Sequence, residues 1–531
     1  EADVAINGGR IVGVGDYEGS LEIECSGKYI IPGFIDGHIH IESTLLTPLS
    51  LSRFLLPLGT TTLIADPHEI VNVSGALGMG YMLNTCERAP MNIHIMLPSC
   101  VPATPFDTNG AGELDYSTLF RYAKDPRVLG LGEVMSYNEV LAGKPSLLDL
   151  IELFSQKPMD GHAPGISRRD TECYRLCGMV SDHECSSFED ALIRLRAGFH
   201  LHIREGSASR NLESIVKGML ENNLPFDFCS FCTDDIHVDD IAQRGHINNC
   251  VNMGIALGMS PVDAIRCATI NTARLYGLKD CGAVSAGMRA DIIIADDLFN
   301  IQPELVLKDG VPVTPGYFET FKESEVPAAL GQSVVIKELK AESLAVPCEG
   351  EAHVIKIVPG TLLTEHIRAA LPSEKGLFKP DSRYNKLVVA ERHGRNGNVS
   401  ACALEGYGLE RGAIASSFSH DSHNIVAAGV SDSDLLLAIR RLKEIEGGYV
   451  VAAGGEILAE LPLPIAGLMT SRDEREVSLS TRRLVEAART LGVKEGVDPL
   501  MTLSFLALPV IPSLRLLDTG LFDVDEYSFA E

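Results

Sequence analysis

Short apolar runs alternate with amphipathic helical stretches between residues 29 and 235, and most of the runs end in polar or ionisable residues. Side chains along an extended strand alternate between its two sides, whereas a helix of this kind repeats every 3.6 residues. The runs are YIIPGFIDGHIH, TTLIADPHE, MNIHIMLPS, RVLGLGEV, PMDGHAPG, GMVSDHE, GFHLHIRE and FDFCSFCTDD. Eight strand-then-helix units in about 250 residues are typical of a parallel (β/α)8 barrel. We therefore predict a TIM-like barrel over residues 31–280.

The segments on either side of the barrel have a different texture. Residues 1–30 and 281–330 mix β-branched residues with glycine and turn pairs, which favours short antiparallel strands. We expect both segments to build one small flanking β-sandwich domain. Residues 331–531 predict a separate C-terminal α+β domain, with strands in 333–347 and 352–367 and helices in 431–448 and 480–493.

Charge and composition narrow the classes of function. The 531 residues hold 45 Lys and Arg against 72 Asp and Glu, a net charge of −27, which disfavours nucleic acid as a partner. No apolar run is long enough to span a membrane, and the N-terminus lacks the pattern of a secretory signal. Thirteen cysteines in a chain of this size indicate reduced thiols, hence a cytoplasmic protein. The pair Cys229 and Cys232 forms a lone CxxC that favours buried thiols over a zinc or redox site.

Ligand-type side chains recur where the predicted barrel strands end. In a (β/α)8 barrel the carboxyl ends of the strands line one face, so these side chains should converge there. The residues at the strand ends are His38, His40, Asp66, His68, Glu133, His162, His183, Asp234 and Asp235. The set suffices for two metal ions, because a carboxylate such as Glu133 can bridge them while imidazoles complete each site. A water held by two divalent ions becomes a nucleophile near neutral pH, and Asp234 would accept its proton. This chemistry is hydrolysis at an electrophilic carbon.

Several motifs together resemble the metal-dependent amidohydrolase superfamily: PGFIDGHIHIES, GLGEV, DGHAPG, SDHE, CTDD, GMRADIII and ATINTARLYGL. More narrowly, ADPHEIVNV, MLPSCVPAT, EGSASRNL and RGAIASSFSHDSHNI resemble the bacterial adenine deaminases over essentially the whole chain. The resemblance implies hydrolytic deamination of adenine to hypoxanthine and ammonia in purine salvage. It also implies two divalent metal ions, with iron or manganese favoured over zinc.

The resemblance also implies a division of the ligands between the two ions. His38, His40 and Asp234 would bind one ion, His162 and His183 the other, and Glu133 both. Many relatives use a carboxylated lysine as the bridge, but VLGLGEV contains none. We expect a small purine base as partner and a homodimer as the assembly. The alternatives are an amidohydrolase acting on another cyclic amidine or amide, and a non-catalytic barrel scaffold. Retention of all six ligand positions disfavours the scaffold.

Further residues near these motifs are candidates for secondary roles. Attack on the amino-bearing carbon requires an acid at a ring nitrogen, for which Glu184 and Glu205 are candidates, with surface salt bridges as the alternative. Arg204 and Ser207 are candidate substrate contacts, and His200 and His202 share one face of their strand. Asp66, His68 and His237 would support the ligands from behind or form an extra metal site. His420 and His423 in HDSHN would reach the barrel mouth or form a hydrogen-bonded turn.

Overall fold

The computed structural model describes residues 2–114, 116–207 and 209–530. The chain divides into two compact units, each made from several stretches of sequence. The first comprises Glu1–Pro67, Met82–Ser99 and Asp115–Ser324, and the second comprises His68–Tyr81, Cys100–Leu114 and Glu325–Glu531. Within the described residues, none of the helices combines the length and the apolar character needed to cross a bilayer.

The first unit contains three strands before the barrel: β1 (Asp3–Asn7), β2 (Arg10–Gly15) and β3 (Tyr29–Pro32). β1 and β2 form an antiparallel pair across the turn at Gly8 and Gly9. Both glycines have positive φ, at 56° and 76°, a conformation that other residues seldom adopt. The hairpin therefore depends on this glycine pair.

Eight parallel strands then follow in chain order around the barrel. They are β4 (Phe34–Ile39), β5 (Thr60–Ala65), β6 (Asn92–Leu97), β7 (Val128–Val134), β8 (Met159–Gly161), β9 (Ser181–Asp182), β10 (His200–Arg204) and β11 (Cys229–Cys232). The last strand returns to the first, because the Asp234 backbone N–H donates to His38 and the His40 N–H donates to Asp234. Each of the eight predicted runs contains one of these strands, apart from the first residue of β5, so the predicted barrel is confirmed. Cys229 and Cys232 are buried free thiols in β11.

Helices connect the barrel strands, as expected of right-handed crossovers between parallel strands, and four more follow the last strand. They are α1 (Pro48–Leu55), α2 (His68–Arg88), α3 (Tyr116–Ala123), α4 (Tyr137–Leu141), α5 (Pro145–Leu153), α6 (Arg168–Leu176), α7 (Phe188–Ala197), α8 (Leu212–Glu221), α9 (Val238–Arg244), α10 (Ile247–Ala256), α11 (Pro261–Cys267) and α12 (Ile270–Leu275). Hydroxyl side chains cap the N-termini of several helices: Thr47 caps α1, Ser167 caps α6 and Ser187 caps α7. α2 is kinked at Gly75, where φ is 56°.

A four-stranded antiparallel sheet combines segments from both sides of the barrel. It contains β12 (Ile292–Ala295), β13 (Leu305–Lys308) and β14 (Val311–Pro312), in the order β14-β13-β12-β3. Ile292, Ile294 and Leu307 pack with Ile11 in a small apolar cluster. The strand that precedes the barrel thus pairs with a strand that follows it.

The second unit is built on an eight-stranded, mainly antiparallel sheet of order β16-β15-β20-β19-β22-β21-β23-β24. Its strands are β15 (Glu351–Ile357), β16 (Thr364–Ala370), β17 (Ser373–Glu374), β18 (Leu377–Phe378), β19 (Tyr384–Ala390), β20 (Val399–Glu405), β21 (Ala413–Ser416), β22 (Ile425–Gly429), β23 (Gly448–Ala453), β24 (Glu456–Pro462), β25 (Leu514–Leu517), β26 (Gly520–Asp523) and β27 (Ser528–Phe529). Its helices are α13 (Asp432–Glu444), α14 (Glu474–Thr490) and α15 (Met501–Phe505). Leu435 and Ile439 of α13 pack on Val388 and Val450 of the sheet. The predicted additional α+β fold is confirmed.

One predicted strand of this unit is wrong. Residues 333–347 form an isolated bridge at Val335 and a short 3-10 helix at Ala341–Leu344. The apolar run VVI is followed by KELKAES, which has too few alternating apolar residues to bury one face of a strand.

Candidate active site

The six predicted metal ligands lie together at the carboxyl ends of the barrel strands. β4 carries His38, and β7 carries Glu133. The other four residues come just after β4, β8, β9 and β11, and they are His40, His162, His183 and Asp234. Five of the six residues are almost fully buried, and the His162 side chain is 16% exposed. Residues as far apart in the sequence as His38 and Asp234 thus meet because the strand ends of a barrel share one face.

One group of donor atoms consists of His38, His40 and Asp234. The Nε2 atoms of His38 and His40 are 3.2 Å apart. Asp234 Oδ1 lies 3.0 Å from His40 Nε2 and 3.5 Å from His38 Nε2. The two Nε2 atoms and Asp234 Oδ1 therefore lie close enough together to share one ion.

A second group consists of His162, His183 and Glu133. Glu133 Oε2 lies 2.6 Å from His162 Nδ1 and 3.2 Å from His183 Nε2. The other oxygen of Glu133, Oε1, lies 3.4 Å from His40 Nε2, which belongs to the first group. Glu133 therefore offers one oxygen to each group, as a bridging carboxylate would.

The chemistry of these donors fits a pair of divalent ions. His40 Nδ1 lies 3.0 Å from the Asp66 carbonyl oxygen, so this nitrogen carries the proton and the lone pair of Nε2 faces the group. Two imidazole nitrogens and a carboxylate oxygen at about 3 Å from one another are the donors that manganese, iron and zinc accept. His38, His40 and Asp234 would hold one ion, His162 and His183 the other, and Glu133 both.

Electrostatics keeps the carboxylates of the site in their anionic form. Burial alone would raise the pKa of Asp234, but the charge of Arg204 outweighs burial and holds that pKa well below its usual value. Burial also opposes ionisation of Glu133, yet the charge of His162 and hydrogen bonds from His162 and His183 lower its pKa well below normal. Anionic carboxylates are the forms that bind cations.

Arg204 is buried beside two carboxylates of the site. Its Nη1 lies 2.5 Å from both Glu184 Oε1 and Asp234 Oδ2, and its Nη2 donates to Ser209 Oγ at 2.8 Å. The guanidinium is buried and neutralises two carboxylates at once. It is therefore in a position to fix Asp234.

The two candidate acids lie in different surroundings. Glu184 Oε1 is 3.5 Å from His183 Nε2, and the charges of Arg204 and His162 outweigh burial and lower the pKa of Glu184. Glu205 instead pairs with Arg244 at 3.1 Å and with Arg210 at 3.7 Å. Burial raises the pKa of Glu205 despite these arginines. Of the two, Glu184 lies beside the ligand cluster.

The remaining predicted residues support neighbouring backbone or lie elsewhere. The Asp66 carboxylate accepts the Glu133 backbone N–H at 3.0 Å, and Gly132 permits this because a Cβ there would lie 2.0 Å from Asp66 Oδ2. Ser207 Oγ accepts the backbone N–H of His237 at 2.9 Å and contacts Asp240. His68 belongs to the second unit.

Sequence analysis missed Asp36, a fully buried carboxylate in the middle of β4. It accepts the Thr233 hydroxyl at 2.6 Å and lies 3.1 Å from His246 Nε2. It therefore links the first strand to the residue that precedes Asp234. An acidic residue inside the apolar run GFIDGHI was the signal that could have found it.

Two family descriptions match the chain. The amidohydrolase family matches residues 29–315, and the adenine deaminase C-terminal domain matches residues 361–528. An adenine deaminase of Desulfitobacterium hafniense is 43% identical over 99% of this chain and 92% of its own length. Adenine deaminase 2 of Carboxydothermus hydrogenoformans is 43% identical over the same shares. An adenine deaminase of Nitratidesulfovibrio vulgaris is 42% identical over 100% of this chain and 92% of its own. This chain therefore belongs to the adenine deaminase family, within the amidohydrolases.

Proposed function

We propose that this protein deaminates adenine hydrolytically to hypoxanthine and ammonia with a binuclear metal centre. The convergence of His38, His40, Glu133, His162, His183 and Asp234 at one end of the barrel carries the proposal. Family membership over the full chain supports adenine as the substrate, because the named relatives are adenine deaminases. The donor set is compatible with iron or manganese, and with zinc.

The six ligand residues would hold the divalent ions, whose chemistry would be to lower the pKa of a bound water and so make it a nucleophile at neutral pH. Asp234 turns Oδ1 toward His38 and His40, while Arg204 holds Oδ2. In this orientation Asp234 can take the proton of the attacking water and pass it to the departing amino group. Water and adenine together then balance as hypoxanthine and ammonia.

The ring nitrogen next to the attacked carbon also needs a proton, because negative charge builds up on it as the water attacks. Glu184 lies 3.5 Å from His183 Nε2, beside the cluster, and Arg204 fixes its side chain. We assign this transfer to Glu184: as an anionic carboxylate it takes up one proton of the attacking water and gives it to the ring nitrogen, while Asp234 carries the other proton to the amino group. Glu205, with its two arginine partners, would instead stabilise the segment that follows β10.

Turnover of adenine by the purified full chain tests the proposal directly. Protein produced with added Mn²⁺ is incubated with adenine, and the ultraviolet change to hypoxanthine and the release of ammonia are followed together. Equal amounts of both products support the proposal. Turnover of another cyclic amidine or amide, with no turnover of adenine, would show that adenine is not the substrate. Absence of any hydrolysis in protein with full metal content would favour the non-catalytic scaffold.

Two variants test the assigned roles within the site. Glu133→Gln replaces a bridging charge by a neutral amide, so we expect loss of metal measured by elemental analysis. Asp234→Asn cannot carry a proton between water and the amino group, so we expect nearly complete loss of turnover with the fold retained. Full metal occupancy in the first variant, or an active second variant, would contradict these roles.

The proposal includes purine salvage by a cytoplasmic homodimer. The thirteen cysteines are all free thiols, which suits a reducing compartment. Light scattering on the eluting protein gives the mass of the assembly, and a monomer would contradict the dimer.

A further inference from the structure

A second cluster of ligand-type side chains lies in the second unit. It combines His68 and Glu69, at the start of α2, with His420, Asp421 and His423 from the loop between β21 and β22. Every one of these side chains is 3% exposed or less. The cluster shares no residue with the six ligands of the candidate active site, and only its His68 figured in the sequence analysis as a metal candidate.

Glu69 is held from two directions by imidazoles. His420 Nδ1 contacts Oε1 of Glu69, and His423 Nε2 contacts Oε2. His423 Nδ1 accepts the Ser419 backbone N–H at 3.1 Å, so this nitrogen carries no proton and Nε2 must be the donor to Glu69. His423 is therefore a neutral donor that orients the carboxylate. Its backbone lies in the left-handed region, with φ of 52°, which is uncommon for a residue other than glycine.

No arginine or lysine among the described residues forms an ion pair with the two carboxylates of the cluster, Glu69 and Asp421. Within the described part of the chain, the ion pairs of Glu69 and Asp421 are with histidines alone. Asp421 Oδ2 and Asp107 Oδ1 are buried, and neither has a hydrogen-bond donor among the described residues. Burial, and then the charge of Asp421, raise the pKa of Asp107 well above its usual value. Such a site stabilises a cation.

The distances from His68 to the two carboxylates match the separation of ligands around one ion. His68 Nε2 lies 3.5 Å from Glu69 Oε1 and 3.6 Å from Asp421 Oδ1. Both distances exceed the usual 2.7–3.2 Å or so of a nitrogen–oxygen hydrogen bond. Donors about 2.1 Å from a tetrahedral ion would lie roughly 3.4 Å from one another.

We propose that His68 Nε2, Glu69 Oε1 and Asp421 Oδ1 bind a divalent transition-metal ion within the second unit. One imidazole and two carboxylates form a donor set for Mn²⁺, Fe²⁺ or Zn²⁺. His420 and His423 orient Glu69 from behind, as carboxylate ligands usually require. The ion joins the start of α2 to the loop after β21, so its role is to stabilise this unit.

Metal analysis of matched variants tests the site. Full-chain wild type, Asp421→Asn and Asp518→Asn are produced with Mn²⁺, and the ions per chain are counted by elemental analysis. Asp518 is the control, because it is a buried aspartate of the same unit whose partners are the Thr108 backbone N–H and two asparagine amides. We expect Asp421→Asn to contain one ion per chain fewer than wild type and Asp518→Asn to match wild type. An unchanged count in Asp421→Asn would overturn the proposal.

A second measurement uses wild-type protein only, so it tests the site even if the Asp421→Asn variant fails to fold. Crystals of the wild-type protein grown with Mn²⁺ are measured at the manganese absorption edge, and an anomalous peak between His68, Glu69 and Asp421 supports the site. Absence of that peak while another site in the same crystal is occupied overturns it. The outcome is independent of the proposed deamination, since metal counts and anomalous peaks do not depend on turnover of adenine.

Discussion

At the scale of single residues, Arg204 is the side chain on which the arrangement of acidic groups depends. One nitrogen, Nη1, contacts both Glu184 and Asp234, two carboxylates that would otherwise repel each other in a buried space. Burial opposes the charge of Arg204, but Glu184 and Asp234 outweigh it and raise the pKa of the guanidinium. The arginine therefore remains a cation whenever the protein is folded.

Arg204→Gln should lower kcat for adenine by about 100-fold, because Asp234 loses the group that orients its outer oxygen. The same change leaves two buried carboxylates without a cation and should cost roughly 3–5 kcal/mol of stability. Steady-state kinetics and thermal unfolding measure the two effects. Arg210→Gln is the control, because Arg210 is half exposed and pairs with Glu205. We expect this control to change kcat by less than twofold, which corresponds to about 0.4 kcal/mol in the activation free energy. Equal effects of both substitutions would contradict the positioning role of Arg204.

His200 gives a prediction about pH. Burial lowers the pKa of His200 to about 4, and its Nε2 lies 2.6 Å from Ser230 Oγ. The folded protein thus keeps this ring neutral, while the unfolded chain takes up a proton below about pH 6.5. Its stability contribution is complete above pH 6.5 and is lost as the pH falls toward 4, by about 2 kcal/mol between pH 7 and pH 5.

His200→Gln removes the titrating group but keeps a polar side chain that can reach Ser230. The variant should lose less stability than wild type between pH 7 and pH 5. Thermal unfolding of both proteins across this range measures the difference. Parallel curves for the two proteins would assign the pH dependence to other groups.

Sequence reasoning reached the histidines of the site but not the partners of Arg204. Strand ends of a barrel converge whatever the helices between them do, so a histidine at a strand end can be placed from pattern alone. The direction of a long flexible side chain depends on which carboxylates lie within its reach. The sequence therefore left a substrate contact and a core polar role open for Arg204, and Asp36 was taken as part of an apolar run.

At the scale of elements, the segment after β10 packs closely against the residues that follow β11. A Cβ on Gly206 would lie 2.3 Å from the Thr233 carbonyl oxygen and 2.7 Å from that of Asp235. These two residues flank Asp234, whose φ of 57° is itself unusual for a residue other than glycine. The close approach of the two backbones thus fixes the position of Asp234.

Gly206→Ala should push these segments apart, lower kcat/KM by roughly 10-fold and cost about 1–3 kcal/mol of stability. Gly80→Ala is the matched control, since Gly80 lies within α2 and a Cβ there would meet no atom within 4 Å. We expect the control to keep full activity and to gain up to about 1 kcal/mol. Steady-state kinetics and thermal unfolding of both variants measure these effects. A fully active Gly206→Ala would show that activity does not require the close approach of Gly206 to Thr233 and Asp235.

Elements with strong periodicity were predictable, and those that depend on distant partners were not. Seven of the eight barrel strands lie within the predicted runs, and β5 begins one residue before its run, at Thr60. α13 begins and ends inside its predicted segment, 431–448. α14 begins at Glu474, before the predicted 480, because Asp473 caps its N-terminus by accepting the Arg475 N–H. Residues 333–347 have strand composition only in their first part, and the bridge of Val335 to His393 is a long-range pairing that local pattern does not reveal.

At the scale of the whole molecule, a chain with a net charge of −27 buries two clusters of carboxylates and histidines, one in each unit. Buried carboxylates without cations destabilise a fold, so each cluster makes folding depend on what it binds. In the first unit Arg204 offsets part of the charge, whereas in the second the described residues place no arginine or lysine against Glu69 or Asp421. The stability of the whole chain should therefore follow the concentration of divalent ions.

Removal of metal tests this dependence. Dialysis of the full chain against a chelator should abolish adenine turnover and lower the unfolding temperature, because ions that bind only the folded state stabilise it by about 4 kcal/mol at a thousandfold excess over Kd. Adding Mn²⁺ back should restore both properties, whereas Mg²⁺, which prefers oxygen donors, should restore neither. The same treatment of Asp421→Asn distinguishes the contributions of the two clusters. With Mn²⁺ this variant should regain adenine turnover, but its unfolding temperature should rise less than that of wild type. Unchanged unfolding temperatures after chelation, in protein shown to be free of metal, would mean that the clusters are stable as hydrogen-bonded networks alone.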